Sequence, residues 1–315
     1  MGEGMTNEFK SPYTLMKNRK YNTWCRYTAR LDSYGRGCLH NCSYCYARHL
    51  LDFRKNWHPN EPAVANLDTI RKVVGKLAPG SVVKLGGMTD CFQPIEGKRH
   101  TTLETIKMLN DRGVHYLIVT KSATCVFPEY LDAYDPKLAH FQISITSTDD
   151  WNGNRYETAS PQSERMRACE VLERMGYDVS VRLSPFIPEF VDVSVINAID
   201  CGKILVEFLK VNTYVRRCFD LDYSEYTCSY GGHSNLELER KIELAESLTD
   251  FDQRSVGEYV RDHYLYFRDN YNYNPFDCCN LRGIEYDDYP DIGEEPDGDK
   301  QMRLFDACDV NGRRL

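Results

Sequence analysis

Three cysteines carry the most specific chemistry in this chain. Cys38, Cys42 and Cys45 stand in a C-x3-C-x2-C arrangement within GRGCLHNCSYCYAR, just after a stretch that reads as a β-strand. Three thiolates on one tight loop can each hold one iron of a cubane, leaving the fourth iron without a protein ligand. A cluster used only for electron transfer normally takes four cysteines. An open metal position is a place for chemistry, by the logic that separates catalytic from structural metal sites. Gly35 and Gly37 give the loop backbone freedom, and Tyr44 is placed to shield the cluster's edge from water. The alternative is a zinc site built from Cys38, Cys42, Cys45 and a histidine such as His40 or His49. Zinc sites usually show two separated ligand pairs, and no second C-x-x-C follows here.

The rest of the chain must hold that loop. It has 315 residues, 42% hydrophobic and 27% charged, the composition of an ordinary globular protein. No run approaches the roughly 20 apolar residues of a membrane-spanning helix, so no membrane partner is expected. The N-terminus, MGEGMTNEFKSPYTL, lacks the apolar core of a secretory signal, and a cytoplasmic location is expected. Thirteen cysteines in such a chain favour metal ligation or catalysis over a disulfide scaffold. The net charge of −8 excludes a globally basic nucleic-acid binder but leaves room for a local basic channel.

Residues 1–20 mix polar residues, Gly and Pro without periodicity and read as an N-terminal arm. From 21 to 211, β-rich runs at 27–31, 82–85, 116–120, 141–146, 179–183 and 204–209 alternate with helical patterns at 67–77, 103–112, 128–133 and 162–175. Gly113 and Gly176 follow helix ends, where a left-handed cap is wanted. Strand alternating with helix predicts parallel strands with right-handed crossovers. Six units fit an α/β fold of the partial (β/α)6 TIM-barrel type, with its chemistry at the C-terminal ends of the strands. A doubly wound open sheet is the alternative, which periodicity does not separate. Residues 212–315 change texture and read as a mainly helical or irregular capping extension. It contains an amphipathic helix at 236–249 and an acidic loop, EYDDYPDIGEEPDGD.

With its aromatic before the last cysteine, the C-x3-C-x2-C motif resembles the signature of the radical SAM superfamily. There the open iron chelates S-adenosylmethionine, whose reductive cleavage gives a 5′-deoxyadenosyl radical that abstracts a substrate hydrogen. The wording CSYCYAR, GGMTDCFQPIE, VTKS, ISITSTD and E-x-x-S-P-x-x-x-R is similar to the branch related to spore photoproduct lyase, over roughly residues 24–211. The resemblance implies a [4Fe–4S] cluster on Cys38, Cys42 and Cys45, S-adenosylmethionine as second cofactor, and an electron donor such as flavodoxin or ferredoxin.

The remaining motifs follow the strands. Gly86 and Gly87 lack Cβ and let backbone approach a ligand closely; by resemblance they meet the methionyl amino group, with Met88 and Thr89 alongside. Met88 stands where an acidic residue is usual. Ser144 and Thr146 offer hydroxyls to the ribose or carboxylate. Arg182 suits a carboxylate clamp, with Ser184 next along the strand. Each could instead serve packing or a structural ion pair, as could Glu157 with Arg165. Tyr46, Arg48 and His49 are placed to orient the cysteine loop, and Lys121 to face the mouth. Cys91 lies just beyond the glycine pair, so the chain should carry it to the catalytic face. A thiol is a good hydrogen-atom donor, and in spore photoproduct lyase a cysteine in the corresponding region quenches the product radical; the alternative is a small buried packing residue. Cys218, Cys228, Cys278, Cys279 and Cys308 could supply an auxiliary cluster by number, though not by spacing. The expected substrate is a nucleic acid or nucleobase. A peptide or small metabolite suits the acidic surface better, and a non-catalytic iron–sulfur or zinc protein is the reading from another class.

Overall fold

The computed structural model describes residues 8–9, 13–15, 29–274 and 277–284. Its main sheet has eight strands: β1 (Tyr13–Leu15), β2 (Ala29–Leu31), β3 (Val82–Leu85), β4 (His115–Thr120), β5 (Ala139–Ile145), β6 (Asp178–Phe186), β7 (Lys203–Phe208) and β8 (Gln253–Val256). They lie side by side in chain order. β2 through β8 are parallel, and only β1 runs antiparallel, against β2. A doubly wound sheet reverses its strand order at a switch point. This sheet never reverses, so the barrel alternative holds. The two edge strands do not pair with each other, and the barrel stays partial.

All six expected strands form, and the sheet runs past the expected boundary at 211. The seventh parallel strand, β8, comes from the stretch expected only to cap. At the other edge β1 lies within the expected arm, and Glu8–Phe9 pairs with Ala63–Ala65 in a small second sheet that also takes Tyr34–Gly35. That second sheet grips the chain three residues before Cys38. The acidic run at 285–299 and Cys308 lie outside the described residues.

Among the described residues the α-helices of six residues or more are α1 (Tyr46–Phe53), α2 (Leu67–Val74), α3 (Thr101–Arg112), α4 (Gln162–Arg174), α5 (Thr213–Cys218), α6 (Leu238–Glu246) and α7 (Arg261–Asn270). Asn66 caps α2 by accepting from Asp68 N and Thr69 N at 2.9 and 3.1 Å. Gly113 takes φ 67° at the end of α3, as the sequence predicts. Side chains alternate across each strand. Val179, Val181 and Leu183 share one face of β6 and enter the same core as Ile70, Ile106, Leu109 and Leu172 of the helices. Each such side chain, once buried, contributes roughly 1.5–3 kcal/mol. Ser180, Arg182 and Ser184 take the opposite face, so β6 turns polar groups toward the barrel interior.

Candidate functional site

The cysteine loop leaves β2 at its C-terminal end and is fixed from both sides. Leu39 N donates to Gln93 Oε1 at 3.0 Å, Ser43 N to Tyr156 O at 2.8 Å and Thr158 N to His40 O at 2.7 Å. Asn41 takes a positive φ of 46° within the turn. Gly37 is required by close approach, because a Cβ there would stand 2.1 Å from His58 O. Cys45 caps α1, its Sγ accepting from Arg48 N at 3.4 Å. Arg48 also reaches Asn41 Oδ1 at 3.1 Å, so this helix orients the loop as expected. Cys38 and Cys45 are half-buried and Cys42 is buried. Burial pushes the Cys38 thiol up to about 12, with Asp90 adding to the effect, and burial followed by Glu157 raises Cys42. Metal ligation must therefore displace their protons.

Beneath the loop lies a buried ion pair. Arg165 and Glu157 are each 1% exposed in their side chains, and Arg165 Nη2 stands 2.5 Å from Glu157 Oε1. Glu157 also accepts from Tyr44 Oη, from Thr146 Oγ1 at 3.1 Å and from Gln162 Nε2 at 2.7 Å, while the Cys42 thiol points to it at 3.6 Å. Burial alone would raise this carboxyl; Arg165 and Lys121 outweigh it and hold it below its ordinary value. Arg165 further binds Ser160 O at 2.7 Å and Ser144 O at 3.1 Å. The expected pair thus exists and underpins the loop. Tyr44 is buried as expected, packed edge-on to Tyr156 and Phe219, with Lys121 Nζ 5.7 Å from its ring.

The glycine turn after β3 adjoins the loop. Gly86 has φ 80°, and a Cβ there would stand 3.0 Å from Thr89 O; at Gly87 it would meet Arg30 Cδ at 2.9 Å. Gly87 N donates to Asp32 Oδ1 at 2.5 Å, and Tyr46 Oη donates to Gly87 O at 3.3 Å. Asp90 accepts from Thr120 Oγ1 and Lys121 N, both at 2.7 Å, and its Oδ2 stands 3.8 Å from His40 Nε2. Three strand exits and the cysteine loop are thus laced together. Sequence reasoning missed Asp32 and Asp90, although Asp90 is the last residue of the glycine motif itself.

Several expected contacts are already engaged inside the protein. Thr89 Oγ1 donates to Tyr34 O at 2.6 Å, and Thr146 bonds Glu157. Arg182 is not an open clamp: it bonds Gln142 Oε1 at 2.5 Å and pairs with Glu207, which also accepts from Ser184 Oγ at 2.7 Å. Glu207 was missed, yet it is the lone charge inside the apolar run ILVEF. Ser144 is 2% exposed, and Met88 is half-buried beside the turn. Cys91 is 1% exposed and belongs to the same core as Phe92 and Cys125, the setting that the packing alternative describes.

Among the described residues no three His, Cys, Asp or Glu side chains gather as a site for one metal ion. A cubane instead takes one thiolate per iron. No helix among them is long and apolar enough to cross a membrane.

No curated protein sequence matches the chain. Solved structures of spore photoproduct lyase share its fold. A mutant with bound AdoMet and dinucleoside spore photoproduct superposes with TM-score 0.52 at 18% identity, over 80% of this chain and 78% of that one. A tyrosine-to-phenylalanine mutant gives 0.53 at 19%, over 71% and 74%. The sequence profile of the Radical SAM superfamily matches residues 33–201, and that family implies a [4Fe–4S] cluster and S-adenosylmethionine. With this profile spanning more than half of a chain that folds as a partial barrel around a three-cysteine loop, the protein is an enzyme of the radical SAM superfamily.

Proposed function

We propose that the protein cleaves S-adenosylmethionine reductively and uses the resulting radical on a nucleic acid or nucleobase. Cys38, Cys42 and Cys45 would hold the cluster. The observation that carries this is the joining of the cysteine loop to the glycine turn at the strand exits, through Tyr46 and Gly87. The loop's chemistry fits a cluster: it presents three thiols, and both ring nitrogens of the buried His40 have no hydrogen-bond partner among the described residues. When bound, the cluster supplies one electron that breaks the sulfonium C–S bond.

The chain's own residues then bind, orient and exclude water. Gly86 and Gly87 admit the methionyl end of the cofactor against bare backbone. Asp32, held under Gly87 N, supplies the carboxylate that Met88 lacks in this motif. Ser144, Thr146, Arg182 and Ser184 line the remaining cofactor path, the Arg182–Glu207 pair shaping its floor. Tyr44, Tyr156, Phe190 and Phe219 form one aromatic cluster that keeps water from the loop's edge. A nucleobase substrate is supported by the polar barrel interior and by likeness in motif to the lyase branch; the bound dinucleoside in a fold relative belongs to that protein. The test is 5′-deoxyadenosine formation in the presence of a single-stranded oligonucleotide carrying a thymine dimer lesion or of a peptide pool. Stimulation by the oligonucleotide alone supports this substrate class; stimulation by the peptide alone replaces it.

A further inference from the structure

One buried side chain of the cysteine loop carries polar atoms that no described residue satisfies. His40 stands midway between Cys38 and Cys42 and is 3% exposed. Neither its Nδ1 nor its Nε2 has a hydrogen-bond partner among the described residues. Buried polar atoms are nearly always paired, since an unpaired one forfeits its hydration without return. Asp90 does not fill the need. Its Oδ2 is 3.8 Å from Nε2, beyond hydrogen-bond distance, and it is already engaged by Phe92 N at 2.8 Å and by Thr120 Oγ1 and Lys121 N at 2.7 Å. The main chain around the ring is held in place. Asn41 N donates to Cys38 O at 3.3 Å and Thr158 N to His40 O at 2.7 Å, while the Cys42 thiol lies 3.8 Å from that same His40 oxygen. The imidazole is thus kept inside the loop, in the chain between two of the three thiols. Packing alone would be served as well by an apolar side chain of similar volume.

We propose that the His40 ring donates a hydrogen bond to the cluster held by Cys38, Cys42 and Cys45, at a thiolate or an inorganic sulfide, and so raises its reduction potential. The inference rests on the assignment of the cluster to this loop made above. A neutral imidazole carries one N–H, enough for one such bond. Thiolate and sulfide are anionic acceptors, and a bond to an ionised acceptor is stronger than one between neutral groups. Hydrogen bonds to the sulfurs are among the levers that set the potential of an iron–sulfur centre, because they favour the more negative, reduced state. The apo chain bears the cost of the unpaired ring, and the loaded chain recovers it.

The test uses the full-length protein, reconstituted anaerobically with iron and sulfide, and reads the midpoint potential by redox titration with EPR detection. His40→Leu removes both ring nitrogens. It is expected to make reduction about tenfold less favourable, a fall of about 59 mV for one electron. Its apo form should resist denaturant at least as well as the unaltered apo-protein, because it buries no unpaired atom at this position. His40→Asn and His40→Gln each restore an amide N–H, one near the place of Nδ1 and the other near that of Nε2. One of the two should recover at least half of the shift. An unchanged potential in His40→Leu at full iron content overturns the proposal. A shift that neither amide recovers, with an apo form destabilised by His40→Leu, also overturns it, since the ring would then act by packing. If His40→Leu takes up no cluster, the two amide variants decide. Only one places its N–H where the cluster accepts it, so equal potentials overturn the proposal. Failure of the unaltered protein to take up about four irons per chain overturns the cluster assignment itself, a result read without any variant.

Discussion

Glu157 and Arg165 show how far one buried pair can reach. Their contacts run to Tyr44, Cys42, Thr146 and the Ser144 carbonyl, so the cysteine loop and the exit of β5, distant in sequence, meet on two side chains. Arg165→Met leaves the Glu157 carboxylate buried without its cation, and should cost about 3–5 kcal/mol in denaturant unfolding. A loss below 1 kcal/mol would mean that solvent reaches the pair. Cys91→Ala trims a core residue, so 5′-deoxyadenosine yield and product identity should stay unchanged; diversion to radical by-products, read by mass spectrometry, would return Cys91 to the chemistry. Residue types and spacing made the cysteines, the glycines and the Glu157–Arg165 pair legible in sequence. The partners of Arg182 and Gly87 were not. Glu207 comes from the neighbouring strand β7 and Asp32 from just beyond β2, and only the pairing of the strands brings them opposite their partners.

The strands and helices were legible because apolar alternation and glycine caps marked them locally. β8 was not. Its four residues, QRSV, carry no apolar run, and the strand forms because β7 offers it an open parallel edge. The expected arm likewise supplies a strand because β2 offers the other edge. At the N-terminal ends of the strands a strap, residues 277–284, is tied to the barrel. Lys203 Nζ pairs with Asp178 and donates to Asn280 O at 2.7 Å, and Arg282 N donates to Asp178 Oδ2 at 2.8 Å. Lys203→Met should cost about 3 kcal/mol and open the strap to limited proteolysis; a strap as resistant as before would show that Cys279 and Leu281, packed on Val82 and Leu117, hold it alone. The same network sets a pH dependence. His115 Nδ1 lies 3.0 Å from His140 Nε2, whose Nδ1 is 2.6 Å from Asp178. Burial, then His140, lowers the His115 value, while Asp135 opposes. As pH falls the unfolded chain takes up this proton first, near pH 6.5, so stability is lost from there down to the lower folded value. The denaturation midpoint should drop between pH 7.5 and 5.5, and the drop should shrink in His115→Gln.

At the scale of the molecule, seven parallel strands in chain order bring every strand exit to one mouth, and the cysteine loop is pinned across it. The fold class followed from alternation of strand and helix, but strand count and barrel edge depended on long-range pairing that no local pattern records. Net charge described the molecule poorly, since −8 overall coexists with four Arg or Lys and a single acid over residues 36–58. The central claim is that this loop carries a cluster that cleaves S-adenosylmethionine. Its most direct measurement is 5′-deoxyadenosine, quantified by chromatography after anaerobic reconstitution and dithionite reduction, in the unaltered protein and in the variant with Cys38, Cys42 and Cys45 all changed to Ala. The account predicts about four irons per chain and steady 5′-deoxyadenosine formation from the former, and neither from the latter. Undiminished 5′-deoxyadenosine from the triple variant would contradict it.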